Sequence, residues 1–194
     1  MPRCFWCTDD PLYQAYHDQE WGTPQRDPAL LFEMLLLEGF QAGLSWITVL
    51  RKRERYREVM HGFDPVKLAV MSDERIEELM QDAGIIRNRL KLKAARRNAQ
   101  AWLAVDNPAD WLWSFVGGAP KINHFTGRSE VPAVTDEAKA MSKALQKAGF
   151  TFVGPTICYA FMQAMGLVMD HTLDCDRHGE LAPLSAELQE KSNV

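Results

Sequence analysis

The chain has 194 residues, 46% hydrophobic and 25% charged, with a formal net charge of −4. That is the ordinary balance of a soluble globular protein, with room for one sizeable core. No apolar run approaches the ~20 residues that cross a bilayer, the opening MPRCFWCTDD lacks a secretory h-region, and the net charge argues against a strongly nucleic-acid-binding surface as a whole.

The four cysteines, Cys4, Cys7, Cys158 and Cys175, are not spent on disulfides if the protein is cytoplasmic, as we expect. Tyr13 and Tyr16 are spaced to share one helical face, with His17 next to it. Asp27-Pro28 is an N-cap followed by proline at the first helical position, opening a helix towards Glu38. Ser45 caps a second helix, running without a break to Gly62. Asp64-Pro65 repeats the cap, and Ser72 opens a stretch ending at Gly84. A longer helix covers Asn88 to Val105, and Asn107-Pro108 opens another, stopped by Gly117-Gly118. Residues 117–134 read as a long loop. Thr135 starts a helix to Ala148 with Gly149 beyond its end, and Gly154-Pro155 opens a last one to Gly166. Nothing alternates with period two for long enough to predict a strand. The class is all-α, with residues 1–180 as a single helical domain and 181–194 as a polar, disordered tail.

Glu38 is the anomaly. It sits in the apolar run Leu30–Leu50, and a buried ionised carboxylate is costly unless it is paired or used; the plain alternative is a helix-end residue at the surface. Gly39 and Gly43 then frame a tight bend with an apolar tip, followed by Trp46. An acid beside an aromatic plate suits a flat, polar, positively charged ring.

At the ends, His171 and Cys175 lie four residues apart, spaced for two positions of a tetrahedral zinc site. Cys4, Cys7 and His17 offer the other ligands, with His178 in reserve; spacing does not choose between Cys7 and His17. Asp174 and Asp176 flank Cys175, so a hydrolytic zinc is the variant reading. Two stretches concentrate positive charge, 51–55 and 87–97, and read either as a polyanion-facing side or as solvated helix faces. Residues 148–157 place a glycine-bounded turn before a helix N-terminus, whose N–H groups can meet a phosphate.

DPLYQAYHDQEWG, LFEMLLLEGFQAGLSWITVLRKRERY, FDPVKLAVM, QDAGIIRNR and GFTFVGPTICYAFMQAMGLVMDH together resemble the 3-methyladenine DNA glycosylase I family of bacterial alkylation-repair enzymes. The resemblance runs from Arg3 to about Cys175 and is loose only in the tail and in 117–134. It implies a helix-hairpin-helix DNA glycosylase fold whose termini are joined at one structural zinc on Cys4, His17, His171 and Cys175; Cys7 departs from the family pattern. It implies a base pocket of Glu38, Tyr16 and Trp46, with Tyr13 and Trp21 close by, in which Tyr16 and Trp46 sandwich the base. Gly149, Val153, Gly154 and Thr156 would grip DNA backbone, while Gln41, Gly43 and Leu44 fill the gap left by the extruded nucleotide. The implied reaction is hydrolysis of the N-glycosidic bond of 3-methyladenine in alkylated double-stranded DNA, releasing the free base. No lysine nucleophile is evident, so no lyase step is expected. Glu38 is the expected catalytic group, with Asp170 as the alternative base. A cytoplasmic bacterial monomer with no membrane partner is expected. The rival readings are a zinc-stapled, non-catalytic damage-binding module and a zinc hydrolase.

Overall fold

The computed structural model describes residues 2–192 and is predominantly helical. The central α2 (Pro28–Gln41) starts where Asp27-Pro28 places it, and α1 (Pro11–Gln19) opens on a further Asp-Pro pair, Asp10-Pro11. The Asp10 and Asp27 carboxylates accept from the Leu12 and Ala29 N–H groups, satisfying donors that a helix start otherwise leaves bare. From Leu31 to Phe40 every residue of α2 is buried, so this helix is the axis of the core.

The single helix expected from Ser45 to Gly62 is two, α3 (Trp46–Leu50) and α4 (Arg53–Val59). The break at Arg51-Lys52 lets Arg53 turn inwards, where its guanidinium meets Glu33 at 2.7 Å and Glu20 at 2.5 Å. Arg57 also grips Glu33. A 3₁₀ turn at His61–Phe63 leads to α5 (Pro65–Ala69) and α6 (Asp73–Leu79). The long α7 (Arg89–Leu103) packs on α5 and α2, and α8 (Pro108–Ser114) follows. Helices α9 (Asp136–Lys147) and α10 (Pro155–Ala164) pack together, with α10 also against α2.

The expected loop at 117–134 contains a strand, β1 (Lys121–Ile122), which pairs in parallel with β2 (Val168–Met169) in the register Lys121↔Val168 and Ile122↔Met169. Two-residue strands are too short to show alternation, so the periodicity test passes over them. The pairing delivers Asp170 and His171 to the site at a fixed depth. A second correction concerns the tail. Residues 181–192 belong to α11 (Asp176–Ser192), and Leu181 and Ser185 are buried; one apolar anchor per turn or two is enough to seat a helix of otherwise polar sequence. Residues 193–194 of the expected tail lie outside the described residues.

Gly166 is the tightest turn. Its φ is +67°, and a Cβ there would lie 2.5 Å from the Pro24 nitrogen. Gly166→Ala combines left-handed strain with a backbone clash, and we expect a loss of about 2–4 kcal/mol in urea unfolding. A loss below ~0.5 kcal/mol would show that the Thr23–Pro24 segment yields freely.

Candidate functional site

A cavity of about 300 Å³ opens between the N-terminal segment, α1, the end of α2, α3 and α10. Glu38 faces it from the last turn of α2, only 4% exposed, and its Oε2 has no hydrogen-bond partner. Burial alone pushes its carboxyl up to about 8 from an ordinary 4.5. This is the buried acid, not a surface helix end.

Tyr16, Trp46, Tyr13 and Trp21, the aromatic residues of the base pocket that the resemblance implies, all line the cavity. Tyr16 and Trp46 do not form a slot, however. Their ring centroids are 5.3 Å apart at 46°, whereas a ring held between two others needs them ~7 Å apart. They form adjoining parts of one wall. Burial and the nearby Glu38 charge push the Tyr16 phenol up.

Sequence reasoning missed Trp6. Its ring meets Tyr13 at 5.2 Å, His17 at 5.2 Å and Trp21 at 4.9 Å, and it lines the cavity. The indole N–H groups of Trp6 and Trp46 are buried without an acceptor. The available signal was its place between Cys4 and Cys7, where any metal would pin it. A cavity whose lining residues Glu38, Trp6 and Trp46 carry buried polar atoms without partners is prepared for a ligand with polar edges. Asp170 lies on the cavity lining as well, but both of its oxygens are engaged: Asn123 donates to Oδ1 at 2.7 Å, and Tyr159 and Gln163 donate to Oδ2 at 2.5 and 2.8 Å.

Beside the cavity, the ligand atoms of Cys4, His17, His171 and Cys175 lie within 4.8 Å of one another, all buried. Cys4 Sγ and Cys175 Sγ are each 3.4 Å from His171 Nδ1, and Cys175 Sγ is 3.5 Å from His17 Nε2. Tetrahedral bonds of ~2.3 Å to sulfur and ~2.0 Å to nitrogen would set such S···N edges at ~3.5 Å. The far ring nitrogens are engaged in turn. His17 Nδ1 meets Asp18 at 2.8 Å, and His171 Nε2 meets the Trp21 carbonyl at 3.0 Å; such contacts orient imidazoles for a metal. Arg3 grips Asp18 through two nitrogens and holds its carboxyl down at about 2. Contact with Cys4, then with the two imidazoles, lowers the Cys175 thiol, towards the thiolate that a soft cation takes. The group can therefore hold a metal ion. Cys7 is not in it: its sulfur points to the Thr8 carbonyl. Nor is His178, which contacts the Asn123 carbonyl.

Gly39 is not part of the bend but lies inside α2, where the Phe152 carbonyl would come within 3.3 Å of a Cβ. The bend is Gln41–Leu44, with Gly43 at φ +79° and Leu44 41% exposed at its tip. The α9–α10 turn closes as expected at Gly149, φ +100°, with Phe150 N–H on the Leu145 carbonyl and Gly149 N–H on that of Gln146, a Schellman arrangement. Val153 is buried as a whole residue, its carbonyl accepting from the Ser142 hydroxyl at 2.6 Å, and the half-buried Gly154 and exposed Thr156 follow it. The two basic stretches turn out to be largely committed within the protein. Arg51 pairs with Asp10, Arg53 with Glu33, Arg55 with Asp82, Arg89 with Glu77 and Arg96 with Asp73.

Residues 6–178 match the family described as Methyladenine glycosylase. Over 179 residues the chain is 56% identical to DNA-3-methyladenine glycosylase 1 of Escherichia coli (strain K12), covering 90% of this chain and 96% of that protein. The fold is similar to a crystal structure of 3-methyladenine DNA glycosylase I, with a TM-score of 0.89, 54% identity, and coverage of 90% of this chain and 98% of that one. It is similar also to a Y16F form of 3-methyladenine DNA glycosylase I in complex with 3-methyladenine, with a TM-score of 0.87, 39% identity, and coverage of 91% and 97%. With a match of this extent in sequence and in fold, the chain belongs to the methyladenine glycosylase family.

Proposed function

We propose that the protein is a base-excision repair glycosylase that hydrolyses the N-glycosidic bond of 3-methyladenine in alkylated duplex DNA and releases the free base. The observation that carries this reading is Glu38, a buried carboxylate without a partner in an aromatic cavity that also offers unpaired indole donors. A cationic methylated purine supplies what Glu38 lacks. Its charge favours the carboxylate form, its N–H groups meet Oε2, and its faces lie against Tyr16, Trp46 and Trp6. Neutral adenine offers less of this. The cation leaves as a neutral base, so the bond is already weak. Glu38 stabilises the positive charge as it passes to the sugar, and it orients or deprotonates the attacking water.

Asp170 is less suited to that task, because three donors already occupy it out of roughly four acceptor positions. No residue lining the cavity is a lysine, which supports hydrolysis without a Schiff base; borohydride trapping should give no protein–DNA adduct. A base inside the stack cannot reach this cavity, so it is extruded. In this reading Leu44, with Gln41 and Gly43, fills the gap. The α9–α10 turn acts as the hairpin: Gly154 and Thr156 present their N–H groups to the DNA backbone, while Gly149 and the buried Val153 shape the turn that holds them there. With most basic side chains paired internally, such backbone donors matter more than long-range charge.

The four-ligand site is assigned to zinc as a structural ion tying the two ends of the chain together. Its soft, closed Cys₂His₂ donor set leaves no protein position open for a hydrolytic water. Among the described residues no helix is long and apolar enough to cross a membrane, and the protein is proposed to act as a cytoplasmic monomer.

The test is release of free base from methylated duplex DNA, separated by chromatography, by wild type and Glu38→Gln. Selective release of 3-methyladenine by wild type, slowed ~100-fold or more in the variant, is expected. Tight lesion binding by both proteins with no release by either would replace this reading with that of a damage-binding module.

A further inference from the structure

Helix α7 carries a buried cation that no proposed chemical step uses. Lys91 is 5% exposed, and its ammonium donates at 2.7 Å to both the Phe40 and Ala42 carbonyls, at the end of α2 where the Gln41–Leu44 bend begins. It forms no ion pair among the described contacts. Seven residues on, and so on the same face of the helix, Asn98 is 3% exposed. Its carboxamide treats Thr151 as a neighbouring strand would: Nδ2 donates to the Thr151 carbonyl at 3.0 Å, and Oδ1 accepts from the Thr151 N–H at 2.8 Å. Arg97 adds a bond from Nε to the Gly149 carbonyl at 2.8 Å. Gly39 closes the triangle, because its missing side chain lets Phe152 of the hairpin sit directly on α2. Lys91, Asn98, Gly39 and Phe152 line one small void at this junction.

We propose that Lys91 and Asn98 are positioning residues, and that α7 is a strut setting the register between the extrusion bend and the backbone-gripping hairpin. The inference rests on the DNA engagement described under Proposed function. Seven residues of helix span ~10 Å, so the two clamps fix two loops that share no covalent neighbour at a set separation along one axis. A hairpin that grips one phosphate then delivers Leu44 to a defined base step, and the target base to the cavity. Buried polar clamps of this kind specify geometry more than they add stability. A shift of the bend by an ångström would leave the cavity intact and still misplace the plug.

The experiment compares wild type, Lys91→Met and Asn98→Ala in single-turnover release of 3-methyladenine from methylated duplex and from methylated single-stranded DNA, with binding of free 3-methyladenine followed by tryptophan fluorescence. The strut predicts that each variant loses at least ~10-fold in duplex rate at saturating enzyme while single-strand release and free-base binding stay within ~2-fold. It also predicts that the double variant loses little more than the worse single one, since either change already frees the register. Duplex rates matching wild type in both variants overturn the strut. So does an equal loss on duplex, single strand and free base, which marks a merely structural role. A wild type that binds free base but releases none from duplex takes down the glycosylase reading together with this one, an outcome distinct from failure of the strut alone.

Discussion

Glu38→Gln is expected to stabilise the unliganded protein by about 2–5 kcal/mol at about pH 8.5, and to change little at about pH 4.5. Burial raises the Glu38 carboxyl from 4.5 in the unfolded chain to about 8 in the fold. Between those values the folded protein holds a proton that the unfolded chain has already released. Folding therefore takes up a proton there, and wild-type stability falls as pH rises from about 4.5 towards about 8. Below that window both states are neutral at this site and the contribution is fully retained. Above it the fold carries a buried, unpaired charge, whose cost is bounded at ~5 kcal/mol by the size of the shift. Glutamine keeps the shape and never ionises, although its amide also needs partners, which brings the lower figure. Urea unfolding of both proteins across this range isolates the effect, because every other titrating group is common to the two. A free-energy difference that stays flat with pH would mean that Glu38 is solvated or paired in solution. The cost is the functional point. A site destabilised by its own carboxylate gains most from a cationic ligand, so the variant that is more stable when empty should bind the methylated base less well.

Local chemistry was legible in the sequence, and long-range pairing was not. The Asp-Pro starts of α2 and α5 and the Gly149 stop of α9 depend on residues a few positions apart, and they fall where their chemistry puts them. Glu38 was legible as an anomaly, since an acid in an apolar run asks for an explanation whatever the fold. The break between α3 and α4 was hidden because its cause is Glu33, twenty residues from Arg53. The β1–β2 pair was hidden because parallel partners lie far apart in sequence and each is only two residues long. The basic stretches misled in the same way: their acidic partners sit on other elements. Spacing left Cys7 and His17 as equals; the family resemblance pointed to His17, and the fold brings that imidazole to the cluster while the Cys7 sulfur lies against the Thr8 carbonyl. Trp6 was passed over because its neighbours in space, not in sequence, make it a cavity wall.

Removing the zinc proposed for the Cys4, His17, His171 and Cys175 cluster is expected to cost at least roughly 4 kcal/mol of stability and to weaken base binding in step, with both restored by added zinc. The ends of the chain hold each other at this cluster: Cys4 and His17 come from one, His171 and Cys175 from the other. The cavity wall is built on the same residues. Tyr16 precedes His17, Trp6 follows Cys4 by two positions, and the Trp21 carbonyl is held by His171. Without an ion, the cluster buries two thiols and two imidazoles whose ligand atoms face mainly one another, and the N-terminal segment is then held by the grip of Arg3 on Asp18, by the Asp176 N–H on the Pro2 carbonyl and by the packing of Trp6 on Tyr13, His17 and Trp21. The Trp6 wall should therefore loosen before the α2–α7–α10 core does. A chelator titration followed by thermal unfolding, tryptophan fluorescence and free 3-methyladenine binding reads all three effects. The structural assignment requires stability and base binding to fall together, and requires Cys4→Ala to reproduce the stripped protein. Base release that stops on chelation while stability and base binding hold would instead make the ion a participant in the chemistry. It would then need a coordination position that Cys4, His17, His171 and Cys175 do not leave open.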